Sequence, residues 1–124
     1  MSRILLTDDD DDLRNTIAAV LASEGHQIAE ARNGMHALQR LLHVPLPQLI
    51  ILDMLMPVMN GFEFLDRMRR DPRLAGIPVL AVTAHAKVGE IHGVVRVLRK
   101  PFDLQHLLAC IRLICPGPTS TAAA

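Results

Sequence analysis

Five short apolar runs constrain this chain more than any other feature: RILLT (3–7), QIAEA (27–31), LIILD (49–53), VLAVT (79–83) and RVLRK (96–100). Each has the length of a strand. The third and fourth are apolar almost throughout, the pattern of parallel strands covered on both faces. Between the runs the period becomes helical. Leu13, Ile17, Val20 and Leu21 recur at helical spacing, with Asp10 or Asp11 placed to cap the start and Gly25 near the end. Similar patterns predict helices near 34–43, 61–70 and 103–114, the last introduced by Asp103. Alternation of strand and helix predicts an α/β fold, a parallel sheet with helices on both faces. The 124 residues suffice for one domain. Its bounds are expected at 1–115, with PGPTSTAAA (116–124) as a flexible tail or linker.

Composition removes several functions. Thirteen basic and thirteen acidic residues cancel, and with no Trp, no Tyr and three Phe there is neither a basic stripe nor a stacking platform. Direct nucleic-acid binding is not expected. No apolar run approaches the ~20 residues of a membrane span, and MSRILLT has neither a long apolar core nor a small-residue cleavage site. The expected location is the cytoplasm. Cys110 and Cys115 read as buried thiols, since nothing near them completes a zinc site, and the six histidines show no ligand-like pairing.

The stretch LLTDDDDDLRN places five consecutive aspartates directly after the first apolar run. Asp8 and Asp9 follow that strand, Asp53 ends the third, Thr83 the fourth and Lys100 the fifth, so all fall at carboxyl ends of strands. That edge is where an open parallel α/β sheet binds ligands. Clustered carboxylates stay ionised cheaply only beside a cation. An all-oxygen set favours a hard ion such as magnesium, which takes one or two carboxylates and keeps sites for water or phosphate. A third acid remains available as a nucleophile, while a hydroxyl and an ammonium suit the oxygens of a phosphoryl group. The set reads as phosphoryl transfer onto Asp53. Asp10 and Asp11 are expected to begin the first helix and Asp12 to be solvated. Met54, Met56 and Met59 read as packing residues, and Gly61 as easing entry to a helix.

ILLTDDD, LIILDMLMPVMNGFEF, VLAVTAHA and LRKPF, in that order, resemble the receiver domain of two-component response regulators over residues 2–115. The resemblance implies a doubly wound, CheY-like (flavodoxin-like) fold of five parallel strands ordered 2-1-3-4-5. It implies that Asp53 accepts a phosphoryl group from a phosphohistidine of a sensor histidine kinase or histidine phosphotransfer protein and so switches a downstream protein partner. Asp8 and Asp9 would bind Mg2+ with Asp53 and the backbone carbonyl of Leu55. Thr83 would be the switch hydroxyl, Lys100 the ion-pairing lysine, and Pro101 would follow a cis peptide bond. The domain would catalyse only its own phosphorylation and dephosphorylation.

Two features depart from that pattern, and one residue qualifies it. Val97 stands where the family usually has Tyr or Phe, so the aromatic reporter is missing. Lys100 follows Thr83 by only 17 residue steps, which predicts a shortened fourth helix drawn from AHAKVGEIHG. His85, two residues after Thr83, reads equally as a surface histidine or as a modulator of water attack. Two other classes compete. An aspartate-nucleophile phosphatase needs a second carboxylate two places after the nucleophile, where Leu55 stands. A pseudo-receiver, binding partners without phosphorylation, would suit Val97 and the short fourth helix but leaves the acidic set unexplained.

Overall fold

The computed structural model describes residues 2–43, 45–84 and 91–115. Its strands are β1 (Arg3–Thr7), β2 (Gln27–Ala31), β3 (Leu49–Asp53), β4 (Val79–Thr83) and β5 (Arg96–Arg99), and its helices α1 (Asp11–Ser23), α2 (Gly34–Leu41), α3 (Gly61–Arg69) and α4 (Leu104–Ile114). The strands form one parallel sheet in the order β2-β1-β3-β4-β5. The expected doubly wound α/β fold and strand order are therefore present. Four strands match the apolar runs residue for residue; the fifth stops at Arg99, leaving Lys100 one position beyond it. The shortened helix expected between β4 and β5, and His85 with it, falls largely on residues 85–90, outside the described residues, as does the tail 116–124.

Period-two alternation sends successive strand residues to opposite faces. On one face Ile4, Leu6, Leu49, Ile51, Leu80 and Val82 pack with Ile17 and Leu21 of α1 and Leu107 and Ile111 of α4. On the other, Leu5, Ile50, Leu52, Val79 and Ala81 pack with Ala37 and Leu41 of α2 and Phe64, Leu65 and Met68 of α3. Every residue of β3 and β4 is buried, which explains why those two runs carry almost no polar residue. The chain crosses from β1 to β2 on one side and to β3 on the other, so strand order reverses between β1 and β3. Loops leaving their carboxyl ends diverge there and leave a crevice.

Local chemistry fixes the helix starts. Asp10 is the cap of α1, its side chain accepting from Leu13 N–H at 3.1 Å. Asn33 caps α2, Asp103 caps α4, and Asn60 forms a reciprocal capping box with Glu63 at α3. Gly25 follows α1 with φ of +92°, a left-handed residue that stops the helix. The predicted face of α1 needs one correction. Arg14, Ile17 and Leu21 are its buried residues, while Leu13 and Val20 are only partly covered. The Lys100–Pro101 peptide bond is cis. Both cysteines are buried and free. Among the described residues no helix is long and apolar enough to cross a membrane.

Candidate functional site

The crevice at the switch between β1 and β3 collects the acids. Asp8 leaves β1 and Asp53 ends β3, both 3% exposed, while Asp9 is open to solvent. One carboxylate oxygen from each of Asp8, Asp9 and Asp53 lies within 4.8 Å of the others. Lys100 reaches across from the end of β5. Its Nζ donates to Asp8 Oδ2 at 3.0 Å and Asp53 Oδ2 at 3.4 Å. The main chain brings it there by pairing Lys100 N–H with the carbonyl of Thr83 at 2.8 Å. Thr83 is buried one residue beyond the Asp53–Val82 register pair, next to the acids in the sheet.

Surrounding bonds fix each acid. Asp8 Oδ1 accepts from Asp10 N–H at 2.9 Å, and Asp53 Oδ1 from Leu55 N–H at 3.1 Å. The loop after Asp53 then folds back tightly. Gly61 opens α3 where a Cβ would lie 2.7 Å from Met54 Cα and 3.0 Å from the carbonyl oxygen of Asp53, so no side chain fits. Met54 and Met59 are buried in the core rather than turned to the acids, as packing residues should be. Val58 adopts φ of +68°, and Met59 N–H donates to the Pro57 carbonyl across it at 2.7 Å. A β-branched residue in that region is strained.

Electrostatics follow from this burial. Desolvation pushes the Asp53 carboxyl up to about 7, and the charge of Asp8 adds to it, against the lowering effects of the Leu55 N–H and Lys100. Burial alone would lower the Lys100 ammonium. Its bond to Asp8 and the charges of Asp53 and Asp8 outweigh that and hold it above the ordinary lysine value. Two buried acids thus share one cation, and an excess of negative charge remains at the crevice. The donor set is all oxygen and suits a hard divalent ion.

Of the residues singled out from the sequence, Asp8, Asp9, Asp53 and Lys100 come together. Thr83 lies at the same sheet edge, and the Leu55 amide is bonded to Asp53 while its side chain is exposed. Val97 sits half-buried on edge strand β5, packed against the core that contains Met54. Arg14 went unnoticed. It is 8% exposed, and its Nη1 donates to the backbone carbonyl of Asp8 at 2.7 Å, bracing the loop that carries the acids. Positions 14, 17 and 21 share one helix face, but the groups that Arg14 meets there, Glu30 and the Asp8 carbonyl, come from other elements.

The response regulator receiver domain model matches residues 4–112. The DNA-binding dual master transcriptional regulator RpaA of Synechocystis is 36% identical over 92% of this chain, which spans 49% of RpaA. Protein PilH of Pseudomonas aeruginosa is 31% identical over 94% of this chain and 100% of its own length. Among solved structures, the response regulator TrrA of Thermotoga maritima, in complex with Mg2+ and BeF, superposes with a TM-score of 0.80 at 26% identity, covering 92% of this chain and 99% of TrrA. The chain therefore belongs to the response regulator receiver domain family.

Proposed function

We propose that Asp53 accepts a phosphoryl group from a phosphohistidine of a histidine kinase or phosphotransfer protein, and that Asp8, Asp9 and Asp53 with the Leu55 carbonyl hold Mg2+ during the transfer. The observation that carries this reading is the convergence of three carboxylate oxygens within 4.8 Å beside Lys100 at the switch between β1 and β3. A carboxylate oxygen of Asp53 attacks phosphorus as the phosphorus–nitrogen bond breaks, and the donor imidazole leaves with that electron pair. Magnesium, when bound, offsets the charge of the carboxylates and of the incoming phosphoryl oxygens. Lys100 pairs with a phosphoryl oxygen, exchanging its present bond to Asp53, and Thr83 donates its hydroxyl to another. Reversal to Asp53 carboxylate needs water at phosphorus, which Leu55 cannot activate because it has no acid or base. The product therefore persists as a signal rather than turning over as in a phosphatase, and the protein that reads it is a downstream partner.

The test is intact mass after incubation with acetyl phosphate and MgCl2. One phosphoryl group is expected on the unaltered chain and none on Asp53→Asn. Labelling that survives in the variant would move the acceptor elsewhere; no labelling of either protein would favour an interaction module that works without phosphorylation.

A further inference from the structure

A second polar pocket, of about 240 Å³, opens between α1 and α2 beside the carboxyl end of β2. Arg14, Arg32 and Arg40 line it together with His36, Asn15 and Glu30. Glu30 is the single acid in this wall, and Arg14 Nε already binds it at 3.1 Å. Arg14 spends its Nη2 on Asp11 at 2.7 Å. Arg40 uses Nε on the backbone carbonyl of Glu30 at 3.0 Å, and among the described residues neither Arg32 nor Arg40 has a carboxylate partner. Two guanidinium groups without a carboxylate partner thus face one pocket beside α2. The chain as a whole carries no net charge, so this field is local.

His36 sits within that field. Its Nδ1 accepts from Arg32 N–H at 3.2 Å, so the neutral ring carries its proton on Nε2. Burial first, then the charges of Arg40, Arg32 and Arg14, keep the imidazole below its ordinary value. The pocket accordingly holds two guanidinium groups without a carboxylate partner, with a neutral N–H donor and the Asn15 amide nearby. Those donors exceed what the two oxygens of a single carboxylate use. They suit the three peripheral oxygens and near-double charge of a phosphate group.

We propose that this pocket binds a small phosphate-bearing anion at a place separate from Asp53. The test follows backbone amide shifts of the 15N-labelled full chain in EDTA, titrated with inorganic phosphate or pyrophosphate, against sodium chloride at matched ionic strength and against acetate. Saturable shifts are expected at 14–15, 30–36 and 40, with pyrophosphate binding more tightly than phosphate. The exposed double variant Arg32→Gln/Arg40→Gln should weaken binding about tenfold or more, and Glu30→Gln should strengthen it. The proposal would be overturned by shifts that sodium chloride reproduces, shifts that do not saturate, binding undiminished in the double variant, or shifts centred on 8–9 and 53–55. Acetate binding as tightly as phosphate would also overturn it, reassigning the pocket to an acidic side chain of a partner protein.

Discussion

Replacing Asp53 with asparagine should stabilise the metal-free domain, increasingly so as pH rises. Burial and the Asp8 charge carry the folded-state carboxyl from its ordinary 3.8 to about 7. A raised carboxyl pKa means that the folded state binds a proton the unfolded chain has already lost. The stability this proton confers is fully present below 3.8 and disappears as pH climbs through 7. Linkage over that displacement predicts that the unaltered protein loses roughly 2.5 kcal/mol between pH 5 and pH 8 on account of this one group. The side-chain amide of the Asp53→Asn variant does not titrate, can still accept the Leu55 N–H, and leaves Lys100 its 3.0 Å bond to Asp8. Urea denaturation of both proteins in EDTA at pH 5 and pH 8 measures the effect: the advantage of the variant should grow by roughly that amount. MgCl2 should erase the pH slope of the unaltered protein by favouring its ionised carboxylate. An advantage for the variant that is independent of pH would refute the reasoning, because Asp53 would then ionise as in the unfolded chain.

Val58→Asn should raise stability by about 1 kcal/mol in thermal or urea unfolding, because asparagine tolerates the left-handed backbone that a β-branched side chain resists. Position 58 is 78% exposed, so no packing is lost; an unchanged or lowered midpoint would mean that the turn stores no strain. Addition of beryllofluoride with magnesium should change amide-exchange protection mainly at 54–60 and 33–37 and leave α4 nearly unaltered. A largest change at 95–98 and in α4 would place the response at β5, where Val97 stands.

The sheet was legible because its signal is redundant. Burial on both faces leaves β3 and β4 almost no freedom to be polar, and any polar residue at their carboxyl ends then stands out. Asp53 and Thr83 could be picked out for this reason, and capping by Asp10 and Asp103 follows from the same local accounting of helix amides. Two features were not readable. Nothing local marks Arg14, since its burial depends on β2 delivering Glu30 and the β1–α1 loop delivering the Asp8 carbonyl, both tertiary events. The cluster of Arg32, His36 and Arg40 likewise straddles a strand end and a helix, and only the register of β2 against β1 brings Arg14 to it.

The fold also constrains how a change at Asp53 can leave the crevice. Val97 is small and β-branched, with few rotamers to exchange, so it cannot carry a large surface inward or outward. The loop after Asp53 is better connected. Gly34 N–H, the first amide of α2, donates to the Met59 carbonyl at 3.0 Å, and a Cβ on Gly34 would sit 2.8 Å from that same oxygen and from Met59 Cγ. With contact this close, Met59 cannot shift toward α2 without moving the helix, nor away without giving up the bond. Met59 is also one residue past the strained Val58 and two before Gly61, which is pressed against Met54 and Asp53. If a phosphoryl group on Asp53 displaces this loop, the displacement would reach α2 through two steric contacts and one hydrogen bond. It would arrive at the end of that helix beside Arg32 and His36, so the proposed anion pocket and the proposed phosphoryl site would be coupled through one element, α2.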